Sequence, residues 1–163
     1  MQMIDISRGY SVLFVCHGNI CRSPTAEAVM RQRAVRAGLG SVLQVDSAGT
    51  SAYHVGEAPD RRSQRVAGQR GYDMSALRAR QVTDEDFERF DLILAADRHN
   101  LADLRARCPA ALQHKLALML SVLPQGSEQE VPDPYYGGPS GFDHVLDLLE
   151  AACDGWLEKI RNM

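Results

Sequence analysis

The 163-residue sequence contains no run of about 18 apolar residues, and this absence argues against a membrane-spanning helix. Its first ten residues, MQMIDISRGY, lack the basic-then-apolar order of a secretory signal peptide. Cysteine is scarce, with four in the chain, and without an export signal we expect reduced thiols rather than a disulfide framework. These absences together predict a soluble, cytoplasmic protein.

A large excess of charge of either sign is also missing. The formal net charge is −3, and acidic and basic residues are interspersed along the chain. The two most basic stretches are DRRSQR (60–65) and LRARQ (77–81). In a mildly acidic chain they predict solvated faces rather than a nucleic-acid surface. We therefore expect neither nucleic acid nor a membrane as a partner.

Apolar residues make up 45% of the sequence, enough for the core of one domain of this length. No internal repeat, low-complexity tract or change in composition marks a boundary, so residues 1–163 are predicted to form a single domain. Strands are predicted at 11–16, 41–49 and 91–96, and helices at 24–38, 60–71, 100–107 and 142–162, with a short helix after Thr83. Segment 115–120 fits either a fourth strand or part of a helix.

This alternation of strands and helices predicts an α/β fold. Right-handed crossovers between parallel strands place helices on both faces of the sheet. In such folds, ligands bind beyond the carboxyl ends of the strands. The first predicted strand, SVLFVC, ends at Cys16, so chemistry is expected directly after this residue.

The stretch VLFVCHGNICRSPTAEAV (12–29) places a five-residue loop between Cys16 and Arg22. A loop of this length can curl so that its N–H groups point to one centre, and Gly18 and Asn19 tolerate the positive φ that such a curl needs. The helix predicted from Pro24 adds the positive end of its dipole. The guanidinium of Arg22 fits two oxygens of a phosphate. This arrangement would hold an anion above Cys16 and favour its thiolate, an in-line nucleophile for phosphorus.

Other uses of these residues are open at this point. A cysteine at the end of a buried strand is often only a small apolar residue, and the spacing Cys–x5–Arg occurs by chance. Cys16, His17 and Cys21 are three soft metal ligands, but no CxxC or HxxxH cluster completes a tetrahedral set. The position between a strand and a helix, followed by Ser-Pro, is what favours a phosphate-binding loop.

With these residues in view, the sequence resembles the low-molecular-weight protein tyrosine phosphatases. The stretch VLFVCHGNICRSPTAEAV is similar to the family's phosphate loop and first helix. DSAGT (46–50), ARQVTDEDFERFDLILAAD (79–97) and DPYYGG (133–138) follow in the family's order. The resemblance spans nearly the whole chain. It implies a three-layer fold, with a four-stranded parallel sheet between helices, and a two-step mechanism without metal or cofactor.

The resemblance also implies the catalytic roles. Cys16 would be the nucleophile, Arg22 would bind the phosphate and the transition state, and Asp133 would be the general acid and then the base. A carboxyl group beside bulky aromatic residues suits proton donation to a phenolate, although a turn residue before Pro134 is the alternative for Asp133. The phosphate-binding set would be His17, Gly18, Asn19, Ile20, Cys21, Arg22 and Ser23.

Further roles follow from the same resemblance. Asn19, Ser23 and Ser47 would support the loop, with a plain helix N-cap as the alternative or additional role of Ser23. The substrate cleft would be walled by Tyr53, Tyr135 and Tyr136. The depth of this cleft would favour phosphotyrosine over the shorter phosphoserine.

The cysteines have further assignments. The resemblance implies reversible oxidation of Cys16 and Cys21 to a disulfide, and the alternative is that Cys21 only packs under the loop. Cys108 and Cys153 are expected to be structural or incidental.

Two positions depart from the family pattern. His17 stands where many relatives carry a smaller or apolar residue, and it could add a polar contact at the mouth of the cleft. Leu77 stands where many relatives carry a histidine that braces the loop asparagine, so another group must satisfy Asn19. His54 is expected to be exposed to solvent and without a role.

Three rival functions are weighed. An arsenate reductase on the same fold would need a downstream cysteine pair, and Cys108 and Cys153 are far apart in sequence. A protein arginine phosphatase would carry Thr in place of Ile20. A non-catalytic phosphotyrosine-binding module would not need Cys16 and Asp133 together. The expected partners are phosphotyrosine-containing proteins, with the chain a monomer or weak dimer.

Overall fold

The structure is a computed structural model that describes residues 8–135 and 137–163. Four strands form its sheet: β1 (Tyr10–Cys16), β2 (Leu43–Gly49), β3 (Leu92–Ala95) and β4 (Leu116–Leu118). Their order is β2-β1-β3-β4, and each neighbouring pair is parallel. The predicted α/β fold with a four-stranded parallel sheet is therefore confirmed.

Five α-helices accompany the sheet: α1 (Arg22–Arg36), α2 (Arg61–Gln69), α3 (Asp84–Arg89), α4 (Arg98–Arg107) and α5 (Pro139–Arg161). Short 3-10 helices, Ala110–Lys115 and Met119–Val122, flank β4. The ambiguous segment 115–120 is thus a strand only in its middle. In the described part of the chain no helix is long and apolar enough to cross a bilayer.

Helices cover both faces of the sheet. All seven residues of β1 are buried, as expected for a central parallel strand. Because side chains alternate along a strand, Val12 and Phe14 pack with α1 and α5 on one face. Leu13 and Val15 pack on the other face, in the cluster that contains Leu104 of α4 and Phe87 of α3.

The strand order brings the carboxyl end of β1 to the centre of the functional edge. From β1 the chain proceeds to β2 on one side and later to β3 on the other, which makes the end of β1 a topological switch point. Cys16 pairs in register with Gly49, and Val15 pairs with both Ala48 and Ala95. Residues that follow all three strands therefore meet around Cys16.

The start of α1 differs from the prediction. The helix begins at Arg22, so Pro24 is its third residue rather than its first, and its N-cap is Cys21. Proline fits here because the first-turn N–H groups have no helical acceptor in any case. At the other end Gly38, with a φ of 76°, terminates the helix as expected.

Candidate active site

A cavity of about 310 Å³ opens at the carboxyl end of β1. It is lined by the loop after β1, the segment after β2 and the segment that precedes α5. The lining residues are Cys16, His17, Gly18, Ile20, Cys21, Arg22, Tyr53, His54, Asp133 and Tyr135. The fold thus brings Cys16 and Arg22 together with Asp133, which lies far away in the sequence.

The loop between Cys16 and α1 has the curl that the sequence predicts. Asn19, at a φ of 57°, is the one non-glycine residue with positive φ in the described ranges. Gly18, which also tolerates a positive φ, does not adopt one. It lacks a side chain for another reason: a Cβ would lie 2.9 Å from Cδ2 of His54. None of the described residues accepts a hydrogen bond from the N–H groups of residues 18 to 21, which leaves these donors for an anion.

The sulfur of Cys16 is buried beneath this loop. Its Sγ lies 3.0 Å from the hydroxyl oxygen of Ser23. Ser23 is the second residue of α1 rather than its N-cap, so the suggested capping role is wrong. Because Asn19 donates to the Ser23 hydroxyl, at 2.8 Å, the hydrogen of that hydroxyl is left for Cys16 or for the carbonyl of Ala48.

A chain of buried polar groups supports Asn19. Its amide nitrogen donates to Ser47 at 3.0 Å, and Ser47 in turn donates to the carboxylate of Glu27 at 2.7 Å. The carbonyl oxygen of Asn19 accepts the backbone N–H of Arg80 at 3.0 Å. This answers the question raised by Leu77: a main-chain amide three residues further on replaces the missing histidine. The sequence did not predict that Glu27 belongs to this series of hydrogen-bonded groups.

Charges hold the supporting layer in place. Burial raises the pKa of Glu27, although the Ser47 hydrogen bond and the ion pair with Arg31 oppose the shift. The Arg80 guanidinium contacts Asp46 at 3.1 Å and Asp86 at 3.0 Å. Arg80, whose main-chain N–H donates to Asn19 of the loop, is therefore held in place by the ion pairs of its own side chain.

Arg22 is buried at the first position of α1. Its Nη1 donates to Asp97 at 2.7 Å and to the carbonyl of Val131 at 3.1 Å, and its Nη2 lies 3.8 Å from the carboxylate of Asp133. Burial alone would lower the pKa of Arg22, but the negative charges of Cys16, Asp97 and Asp133 raise it above its ordinary value. The guanidinium is thus a permanent cation beside the sulfur.

Asp97 is the acidic partner that sequence reasoning missed. It follows β3 and is the N-cap of α4, where its carboxylate also accepts the N–H of Asn100 at 2.8 Å. Burial favours a higher pKa for this carboxyl, but the hydrogen bond from Arg22 and the backbone bond lower it overall. A usable signal existed, because an aspartate directly after a parallel strand lies at the same sheet edge as Cys16.

Asp133 stands at the mouth of the cavity with about half of its side chain exposed. One carboxylate oxygen accepts the N–H of Tyr135 at 3.0 Å, which fixes a local turn of the kind expected before Pro134. The other oxygen faces Arg22. Asp133 is therefore both the turn residue before Pro134 and a residue of the cavity.

The aromatic walls are only partly as expected. Tyr135 lines the cavity and is 38% exposed, whereas Tyr53 lines it from the other side and is 85% exposed. Tyr136 lies outside the described residues. His54 joins the lining, so its predicted solvent exposure is wrong: it packs over Gly18, pairs with Glu57 and contacts the edge of Tyr53, with ring centroids 4.7 Å apart.

Cys21 lines the same cavity as Cys16 and is buried. Burial raises the pKa of the Cys21 thiol to about 12, against a smaller opposite effect of Ser63. His17, the other soft ligand nearby, is exposed at the mouth. Within the described ranges, no three His, Cys, Asp or Glu residues lie close enough together to hold a metal ion.

A cysteine beneath an anion-binding loop, between a parallel strand and a helix that begins with arginine, defines a phosphate-loop protein of the α/β class. The family model of low molecular weight phosphotyrosine protein phosphatases matches residues 11–163. The chain belongs to this family.

Individual relatives agree over nearly their whole length. A low molecular weight protein-tyrosine-phosphatase of Streptomyces coelicolor is 45% identical over 156 residues, which cover 94% of each chain. The human low molecular weight phosphotyrosine protein phosphatase is 44% identical over 151 residues, or 91% of this chain and 94% of the human one. A crystal structure of a protein tyrosine phosphatase from Entamoeba histolytica gives a TM-score of 0.91 at 42% identity and covers 94% of this chain and 98% of that one.

Proposed function

We propose that the protein hydrolyses phosphotyrosine in proteins, and small aryl phosphates, through a phosphocysteine. The observation that carries this is the cavity that holds Cys16, Arg22 and Asp133 together. In the first step the Cys16 sulfur attacks phosphorus, the bond from phosphorus to the phenolic oxygen breaks, and Asp133 gives its proton to that oxygen. In the second step Asp133 takes a proton from water, whose oxygen attacks phosphorus and expels the Cys16 thiolate.

The other residues of the phosphate loop stabilise the negative charge of the phosphate and of the thiolate. The free N–H groups of residues 18 to 21 and the fork of Arg22 face the oxygens of the phosphate and stabilise their charge in the transition state. The hydroxyl of Ser23, 3.0 Å from the Cys16 sulfur, stabilises the thiolate as it leaves. Tyr53 and Tyr135 flank the phenyl ring of the substrate.

The rival functions fit less well. An arsenate reductase would need Cys108 and Cys153 side by side, but they belong to the clusters on opposite faces of the sheet. Ile20 lines the cavity where an arginine phosphatase would carry threonine. A binding module without catalysis would have no use for Asp133 at the mouth.

The test is hydrolysis of p-nitrophenyl phosphate and phosphotyrosine peptides without added metal. Cys16→Ser should be inactive on both substrates, and Asp133→Ala should lower kcat/KM for phosphotyrosine peptides by about 10²–10⁴-fold, the usual contribution of a general acid. Cys108→Ser and Asp103→Ala serve as matched controls. Activity in Cys16→Ser, or loss of wild-type activity in the presence of chelators, would refute the mechanism. A near-wild-type rate of Asp133→Ala on phosphotyrosine peptides would remove Asp133 as the acid.

We also infer that the site is redox-sensitive. An oxidant such as peroxide converts the Cys16 thiolate to a sulfenic acid; the Cys21 sulfur then attacks the Cys16 sulfur and water leaves, which forms a disulfide. The support is that both cysteines line one cavity within a single curled loop.

A further inference from the structure

Arg62 lies between the phosphate loop and the segment that carries Asp133. It is the second residue of α2, and its Nε and Nη2 donate to the two carboxylate oxygens of Asp60, at 3.1 and 2.9 Å. The Asp60 carboxylate also accepts the backbone N–H of Arg62 at 2.8 Å and so caps the helix. Burial alone would raise the pKa of Asp60, but these bonds lower it, so the pair stays charged at neutral pH.

The guanidinium fixed in this way covers two aromatic rings. Its central carbon lies 5.3 Å from the ring centroid of Tyr135 and 4.7 Å from that of Phe142. A planar cation at these distances attracts the face of an aromatic ring. Tyr135 stands two residues after Asp133, and Phe142 lies in the first turn of α5. Arg62 therefore contacts one residue close to Asp133 and one residue in the first turn of α5.

Asp60, the partner of Arg62, contacts the phosphate loop that follows Cys16. The backbone N–H of Asp60 donates to the carbonyl of Ile20 at 2.8 Å. A short path thus leads from the loop through Asp60 and Arg62 to Tyr135. The Asp133 carboxylate is half exposed, and it contacts the Tyr135 N–H and, at 3.8 Å, the cation of Arg22. Its position relative to the sulfur then depends on how the segment around Tyr135 docks.

We propose that Arg62 is a positioning residue for the general acid: it fixes the Asp133 segment at the distance from the phosphate loop that proton donation requires. The proposal rests on the proposed role of Asp133. Arg62 itself is not among the residues that line the cavity. Its loss should leave the attack of Cys16 intact and impair the transfer of the Asp133 proton to the leaving oxygen.

This separation gives a readout that a merely structural role would not produce. Nitrophenolate leaves phosphorus readily without a proton, whereas phenolate and tyrosinate need one. In Arg62→Ala, kcat/KM, which reports the first step alone, should fall about ten- to a hundredfold for phenyl phosphate and phosphotyrosine peptides, the scale of a misplaced catalytic group, and much less for p-nitrophenyl phosphate. Arg62→Lys, which keeps the charge but not the planar fork, should recover only part of the loss.

The controls separate this idea from the proposed function. Arg65→Ala, an exposed arginine on the same helix, should leave both substrates near wild type. In an Asp133→Ala background, Arg62→Ala should add little, because the acid is already gone. Equal losses of kcat/KM for aryl phosphates with good and poor leaving groups, or a full additional loss on Asp133→Ala, would overturn the positioning role while the phosphatase mechanism stands. If Arg62→Ala unfolds, judged by its thermal transition, Arg62→Gln keeps the stem of the side chain and carries the same prediction.

Discussion

The thiols of this protein differ in what surrounds them, and the difference decides how each should respond to an oxidant. Burial raises the pKa of Cys21 to about 12 and also raises the pKa of Cys108 and Cys153. These three sulfurs are protonated at neutral pH and react slowly with peroxide. Cys16, in contrast, sits beside the Arg22 cation. Oxidation is therefore expected to start at Cys16.

The prediction for Cys21 concerns the fate of the oxidised site. Cys16 and Cys21 both lie in the tryptic peptide 9–22. After mild peroxide this peptide should lose the mass of two hydrogens and resist alkylation, and thiol reductant should restore activity. Because the reacting form of Cys21 is its thiolate, the disulfide should form faster as pH rises toward 12.

Substitution of Cys21 tests whether the disulfide protects Cys16 from further oxidation. Cys21→Ser should proceed to sulfinic acid and recover little activity, whereas Cys108→Ser should recover like wild type. An unchanged peptide mass in oxidised, inactive wild type would count against the disulfide and leave Cys21 as a packing residue under the loop.

Among the elements, strands and helices were predictable because each carries a local signal. The apolar run of β1 and the amphipathic α5 lie close to their predicted places, and the glycine after α1 ends that helix. The start of α1 was not predictable from Pro24, because the loop geometry, and not local preference, decides where the helix begins.

The site residues also divide into those with a local sequence signal and those placed by tertiary contacts. Cys16 and Arg22 could be read from one continuous motif, and Asp133 from resemblance. Asp97 had one signal, its place after a parallel strand. Arg80 and His54 had none, because their roles come from contacts with residues at least 36 positions away in the sequence. A sequence pattern carries information about residues that are close along the chain. These contacts form only when the strands are assembled into the sheet.

The end of β2 packs closely against the phosphate loop. Gly49 pairs with Cys16, and a Cβ on it would lie 2.7 Å from the carbonyl oxygen of His17 and 3.2 Å from Asn19. Gly49→Ala should push the phosphate loop outward, so that kcat falls and inorganic phosphate inhibits more weakly. A misplacement of about 1 Å is worth up to about 10²-fold in rate.

A matched glycine provides the control. A Cβ on Gly68, in α2, would meet no atom within 4 Å, so Gly68→Ala should keep full activity and gain about 0.5–1 kcal/mol in helix stability. Full activity and ordinary phosphate inhibition in Gly49→Ala would show that the loop yields without consequence for binding.

The protein contains one buried carboxylate, Glu27, and one partly buried carboxylate, Asp97, whose pKa shifts have opposite sign. The Arg22 and backbone hydrogen bonds lower the pKa of Asp97 despite its burial, and burial raises the pKa of Glu27. A lowered native pKa contributes stability that is present above the ordinary value of 3.8 and is lost as pH falls through the native value. A raised native pKa contributes stability that is present below the ordinary value of 4.5 and is lost as pH rises through the native value.

These signs predict two opposite trends in the free energy of unfolding, measured by urea titration between about pH 3 and 7. The advantage of wild type over Asp97→Asn should shrink as pH falls, because protonation of Asp97 removes the charge that binds Arg22. The advantage of wild type over Glu27→Gln should shrink as pH rises, because the buried Glu27 must then ionise while the neutral amide does not. Exposed Glu88→Gln supplies the baseline for loss of one carboxylate. Trends of the same sign for both variants would mean that bulk charge, and not the local environments of Asp97 and Glu27, sets the pH dependence of stability.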